Sequence, residues 1–276
     1  MDTVEIEGLT IAFERRGKGQ PLVLLHGGMI DHREWEAQLD GLSDAYSVIA
    51  WDTPGCGASE DPPRSFRMAD YGRVLASFLE RLGIESAHVG GLSWGSTLTL
   101  ELYRQRPDLV RSLILTAAYA GWAGSLSPEE VTSRLQTLLR DIDERSQDEW
   151  LRGFLPTLLT DVAPREMRER LLEAMGSASR PSGIRPMLHA MAEADLRVVL
   201  PTISVPTLLL YGEGDVRSPR AVAEEMRRAI PGSRLEILER SGHQANVEAA
   251  ERFNDAVRAF LATVDAGGAE EVRPGR

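Results

Sequence analysis

A single cysteine, a single lysine and only five histidines occur in the 276 residues of this chain, and the first and last of these scarcities narrow its chemistry. Cys56 alone can form neither an intrachain disulfide nor a cysteine-based metal site. Lys18 stands beside many arginines, a bias of usage that carries no functional reading. The histidines, His26, His32, His88, His189 and His243, show no metal-ligand spacing, so no metal is expected. Apolar runs are short. None approaches the length of a membrane span, and Met1-Asp2-Thr3-Val4-Glu5 lacks the basic-then-apolar pattern of a signal peptide. A cytoplasmic protein without a membrane partner is expected. Basic charge is also in deficit: 31 Lys and Arg face 42 Asp and Glu, a net charge of −11 that argues against nucleic acid and anionic membranes as partners. A small-molecule substrate remains as the expected partner, and no pattern fixes an oligomeric state.

What is present is ordinary for a globular chain, 42% apolar and 26% charged, with length for one large α/β domain carrying an insertion or for two small domains. Val4–Glu7 and Thr10–Arg15 read as a hairpin of short strands. Leu22–Leu25, Ser47–Trp51 and Ala87–Gly90 are continuous apolar runs of the kind buried on both faces of a sheet. Amphipathic stretches at Glu34–Leu42, Met68–Leu82 and Ser96–Gln105 separate them, followed by a strand at Val110–Thr116. The alternation resumes with strands at Pro206–Tyr211 and Arg234–Leu238 and helices at Arg220–Ala229 and Val247–Leu261. Strands alternating with helices predict a parallel sheet with helices on both faces, and binding at the carboxyl ends of the strands.

One segment departs from this rhythm. Residues 121–200 contain only helical patterns, at Pro128–Glu144, Gln147–Leu159, Pro164–Met175 and Gly183–Ala194, with Arg180–Gly183 read as a hinge or loop. Ser127-Pro128-Glu129-Glu130 is a helix start, with Ser127 as N-cap and acids in the first turn. The expected organisation is therefore a core of residues 1–120 and 201–264, a helical lid over 121–200, and a disordered tail at 265–276 rich in Gly and charge.

Gly91-Leu92-Ser93-Trp94-Gly95 is a G-x-S-x-G pentapeptide at the end of an apolar strand and the start of a helix. A serine at such a corner is strained and stands above the sheet edge, while the helix start aims backbone N–H groups at any anion formed beside it. Ser93 is the expected nucleophile. It needs a base and the base an orienting acid. His243, in the Ser241–Asn246 loop after the last strand, is the expected base. Asp215, in Gly212-Glu213-Gly214-Asp215 after an apolar strand, is the expected acid, with Glu213 as its rival. Two N–H groups must meet the oxyanion: that of Trp94, and one from His26-Gly27-Gly28-Met29, with Gly28 first and Met29 second. His26 reads as bonding its own loop and His88 as a core residue. His32 and His189 are candidates to reach the pocket, and Met29, Trp122, Met187, His189 and Met191 are its expected lining.

In order and spacing His26-Gly27-Gly28, Asp52–Ser59, Gly91–Gly95, Gly212–Asp215 and Gly242-His243 resemble the signatures of the α/β-hydrolase superfamily, from about Pro21 to Leu261. The resemblance implies the α/β-hydrolase fold, with a mostly parallel eight-stranded sheet. It is to small, lidded, cofactor-free members: esterases, lactonases such as 3-oxoadipate enol-lactonase, and C–C bond hydrolases. Ser93-Trp94-Gly95-Ser96-Thr97-Leu98 also resembles proline iminopeptidases, but His26-Gly27-Gly28-Met29-Ile30 departs from their His-Gly-Gly-Pro-Gly loop. The related dehalogenases and epoxide hydrolases carry Asp where Ser93 stands. The expected activity is hydrolysis of a small carboxylic ester or lactone through an acyl-enzyme. Amide or C–C hydrolysis with the same triad, a tailoring cyclase or lyase, and a non-catalytic binding protein are the alternatives.

Overall fold

The computed structural model describes residues 1–271, with side chains to 267. Eight strands form one sheet: β1 (Asp2–Ile6), β2 (Leu9–Arg16), β3 (Gln20–Leu25), β4 (Tyr46–Trp51), β5 (Ala87–Leu92), β6 (Val110–Thr116), β7 (Thr207–Gly212) and β8 (Arg234–Leu238). Their order is β1-β2-β4-β3-β5-β6-β7-β8; β1 and β2 are antiparallel additions to one edge, and every later pairing is parallel.

The unbroken apolar runs are buried because helices cover both faces. Side chains alternate along a strand, so Leu22 and Leu24 of β3 face one layer while Val23 and Leu25 face the other. The first layer is closed by Leu39 of α1 (Glu36–Leu42) and by Phe253, Val257 and Leu261 of α10 (Ala250–Glu271). The second is closed by Leu75 of α2 (Met68–Arg81), Leu98 of α3 (Trp94–Gln105) and Met226 of α8 (Arg220–Ala229). Each fully buried Leu contributes roughly 1.5–3 kcal/mol.

Register aligns the strand ends. Leu25 pairs with Gly91, Leu92 with Thr116, Thr116 with Leu210, and Gly212 with Leu238. The loops after β3, β5, β6, β7 and β8 therefore leave from one edge. Four inserted helices also leave there, after β6: α4 (Pro128–Glu144), α5 (Gln147–Phe154), α6 (Arg165–Ala178) and α7 (Pro181–Glu193). Ser127 and Ser146 begin α4 and α5 with reciprocal caps from Glu130 and Glu149.

Two expectations change. Arg180–Gly183 is not a free hinge: Pro181 opens α7, and Gly183 lies so close to Gly55 that a Cβ there would meet the Gly55 carbonyl oxygen at 2.0 Å. Residues 265–271 are not a disordered tail but the end of α10, while 272–276 lie outside the described residues. The helix continues because Asp265 holds it to the sheet, accepting from the Tyr46 hydroxyl at 3.2 Å and lying 3.2 Å from an Arg111 nitrogen. Before α10 the chain makes a separate turn, α9 (Ala245–Glu248).

Candidate active site

Ser93 sits between β5 and α3 with φ of 51° and ψ of −105°, a conformation that costs a non-glycine residue on the order of 1–3 kcal/mol. Packing enforces it. A Cβ on Gly91 would lie 2.3 Å from the Gly95 carbonyl carbon, and one on Gly95 would lie 2.0 Å from the Leu25 oxygen, so only glycine lets β5, α3 and β3 converge. The Ser96 hydroxyl lies 2.6 Å from the Gly91 oxygen and accepts from the Thr116 N–H at 3.0 Å, while the Ser93 N–H donates to the Thr116 oxygen.

His243 is buried and makes its hydrogen bonds through Nδ1, 2.9 Å from Asp215 Oδ2 and 3.1 Å from Oδ1. Asp215 is also buried, and its Oδ1 accepts the N–H groups of Arg217 and Ser218, both at 2.8 Å. The carboxylate is thus fixed by its own loop, and it in turn fixes the imidazole. Glu213 is exposed and accepts from the Arg240 N–H, so Asp215 and not Glu213 meets the histidine.

Ser93 and His243 line one cavity. No hydrogen bond joins them among the described residues. Gly28, Met29 and Trp94 lie on the same cavity. The Gly27 N–H is taken by Glu34, so Gly28 and Met29 carry the next N–H groups of that loop, and Met29 has φ of 69°. Trp94 is the first residue of α3, where backbone N–H groups have no helical partner.

The inserted helices close the cavity with Leu138 of α4, Phe154 of α5 and Met187, Leu188 and Met191 of α7, and Trp122 joins them from the loop between β6 and α4. His189 is not on this wall. Met187 and Met191 are four residues apart and share a helix face, from which His189 is turned by half a revolution. His32 is also withheld from the cavity, because its Nδ1 lies 2.8 Å from Asp52 Oδ1. Asp31, His32 and Asp52 come close enough for a cation, yet Asp31 is engaged by Arg33, and Asp52 accepts from His32 and Ala58. Burial keeps the His26 pKa low; its Nδ1 lies 2.6 Å from the Gly27 oxygen and its Nε2 accepts from the Thr53 N–H. It braces its own loop. His88 is enclosed in the core beside Ser112.

Two residues of the site escape sequence reasoning. The amphipathic stretch Glu34–Leu42 gives Glu34 no place in the site. His32–Trp35 is a 3₁₀ turn, whose tighter winding turns Glu34 inward, where it is 3% exposed. Its oxygens accept the Gly27 N–H at 2.6 Å and the Gln244 side-chain amide at 2.7 Å, linking the loop of Gly28 to that of His243. Burial pushes its carboxyl up to about 8, against the pull of the Gly27 donor. Arg217 also lines the cavity, and its only sequence signal is its place two residues beyond Asp215.

With this geometry established, comparison with known proteins is decisive for the family. Residues 20–250 match the model of the alpha/beta hydrolase fold. The chain belongs to that family. It is 33% identical over 231 residues to 3-oxoadipate enol-lactonase 2 of Acinetobacter baylyi, covering 82% of this chain and 83% of the lactonase. It is 28% identical to the pimeloyl-[acyl-carrier protein] methyl ester esterase of Nitrosomonas europaea, covering 88% and 96% of the two chains. A thermophilic esterase from Thermogutta terrifontis, solved with malate bound, superposes with a TM-score of 0.88 at 29% identity, covering 96% of this chain and 99% of the esterase. Among the described residues no helix is long and apolar enough to cross a membrane.

Proposed function

We propose that this α/β-hydrolase cleaves a small carboxylic ester or lactone through an acyl-enzyme formed on Ser93. The observation that carries the reading is the juxtaposition of Ser93, at a strained strand-to-helix corner, with an Asp215-anchored His243 on one cavity. The relatives named as an enol-lactonase and a methyl ester esterase support the bond type.

As Ser93 Oγ attacks the carbonyl, His243 Nε2 takes its proton. Asp215 holds Nδ1–H, which fixes the tautomer and stabilises the imidazolium. Substrate draws the serine and histidine into contact, since catalytic hydrogen bonds are commonly long in free enzymes. The tetrahedral oxyanion is met by the Trp94 N–H and by that of Gly28, with Met29 as the neighbouring donor. One such donor is worth about 3–4 kcal/mol in measured cases. His243 then protonates the leaving alcohol, and water repeats the attack on the acyl group. The inserted helices act as a lid, excluding bulk water and choosing the acyl group.

The test is a panel of p-nitrophenyl esters, lactones, aminoacyl anilides and vinylogous diketones. Turnover of esters and lactones, lost in Ser93→Ala, supports the reading. Preference for anilides or diketones transfers it to amide or C–C hydrolysis, and products that retain the acyl group in a new ring transfer it to a cyclase. Inertness toward all four, with tight binding of one, leaves a binding protein.

A further inference from the structure

Arg217 lies on the wall of the catalytic cavity and forms no ion pair with any described residue. Its backbone is pinned to Asp215, so its position relative to Ser93 and His243 is set by the same loop that orients the histidine. Its guanidinium lies over the Phe154 ring, 4.5 Å from the centre, and Nη1 donates to Thr157 Oγ1 at 3.3 Å. Among the described residues no carboxylate comes within ion-pair distance of it, whereas nearby Arg145 is paired with Asp141 at 3.2 Å. Desolvation lowers its pKa and nearby Arg134 adds to the cost, while Tyr119 and Asp215 offset part of it.

Arg134 repeats the pattern one layer out. It donates to the Tyr119 hydroxyl at 3.1 Å and to the Arg217 carbonyl oxygen at 3.2 Å, and among the described residues it forms no ion pair. A second hollow outside the cavity is lined by Arg134, Arg145 and Asp141, and shares Leu138, Phe154 and Arg217 with it. Arg217 is therefore the common wall between an outer vestibule and the reacting centre. In a chain of net charge −11 an anion is repelled by the molecule as a whole, so two unpaired guanidiniums along one route make a local exception.

We propose that the cavity takes substrates bearing a carboxylate remote from the scissile bond, and that Arg217 pairs with it while Arg134 draws it in. A guanidinium offers two parallel N–H groups that match a planar carboxylate, and a pair formed away from water is stronger than one in it. The single guanidinium on this apolar wall suits one planar monoanion. This rests on the hydrolytic reading of the site, so turnover and binding are tested separately.

Mono-p-nitrophenyl adipate and its neutral counterpart, p-nitrophenyl 5-carbamoylpentanoate, differ only in that charge. The wild type should favour the anion in kcat/KM by on the order of 10- to 100-fold, the range for a hydrogen-bonded charge, and the preference should shrink as salt rises. In Arg217→Gln the ratio should fall toward 1, mainly through KM for the anion; Arg217→Lys should restore part of it. Equal treatment of the two esters by the wild type overturns the proposal, and so does an Arg217→Gln variant that slows both by the same factor, which would make Arg217 packing for Phe154 and Thr157. Calorimetry with adipamate, the half-amide carrying one carboxylate, and with neutral adipamide decides the matter without turnover. Saturable binding of adipamate alone, weakened in Arg217→Gln and Arg134→Gln, supports the anion site even if neither ester is cleaved, an outcome that would defeat the hydrolase reading only. Absence of adipamate binding to the wild type, with both esters cleaved equally, defeats the anion site only.

Discussion

Glu34→Gln should make the protein more resistant to unfolding at pH 8 than the wild type, and the gain should vanish near pH 5. Glu34 is buried, and its carboxyl is pushed from 4.5 up to about 8 by loss of solvent and by the charge of Asp31, more than the Gly27 N–H pulls it down. In the unfolded chain the side chain loses its proton near its ordinary value, while the folded protein keeps it. Between these pH values the folded state binds more protons, so stability falls as pH rises. Each unit is worth about 1.4 kcal/mol, and the interval from 4.5 to about 8 makes the full effect on the order of 5 kcal/mol. Glutamine removes the titration yet keeps an acceptor for the Gly27 N–H, and its NH2 donates to Gln244 Oε1, which is without a partner in the wild type, once that amide turns over. The assay is urea unfolding followed by tryptophan fluorescence, for both proteins, at pH 5, 6, 7 and 8. The wild type minus variant difference should become steadily more unfavourable across that series. A difference constant with pH would show that Glu34 enters the folded state already ionised, and the argument from burial would be wrong.

Other outcomes follow from the same geometry. Asp215→Asn should lower kcat on the order of 10⁴-fold by analogy with other triads, with an unchanged circular-dichroism spectrum; Glu213→Gln should stay near wild type, and a reversal of the two would exchange their roles. Gly95→Ala places a Cβ 2.0 Å from the Leu25 oxygen, so it should fail to accumulate as folded protein or lose several kcal/mol, and a normal melting temperature would refute the close approach of α3 to β3. Met191→Ala and Trp122→Ala should reorder the acyl chains accepted, by about 1–3 kcal/mol in discrimination. His189→Ala should not, and an equal effect there would place the wrong helix face on the cavity.

The sheet was legible because burial on both faces leaves a mark that needs no partner to read. Leu22–Leu25 and Leu208–Tyr211 are apolar without interruption, and both lie in central strands. The gathering of Ser93, Asp215 and His243 at one sheet edge is legible for a different reason: each follows a strand and has a glycine within two residues, so local sequence sets the turn. Residues whose role depends on a distant partner left no such mark. Glu34 has the composition of a surface helix, and only the 3₁₀ winding before α1 and the Gln244 amide across the sheet edge explain its burial. Arg217 looks like any loop arginine until Phe154 and Thr157, contributed by the inserted helices, enclose it. Proximity in sequence groups His189 with Met187 and Met191, whereas helical period separates it from them. Gly and charge content predict a disordered tail where α10 continues, because composition does not reveal that Asp265 is tied to Tyr46 and Arg111.

The account turns on Ser93 as a nucleophile, and covalent capture tests that without knowledge of the substrate. Incubation with a fluorophosphonate should add one phosphonyl group per chain, found by peptide mass spectrometry on Ser93. Ser93→Ala should lose the adduct, and His243→Ala should slow its formation by orders of magnitude. An adduct on another serine, or labelling of the wild type no faster than of His243→Ala, would contradict the claim.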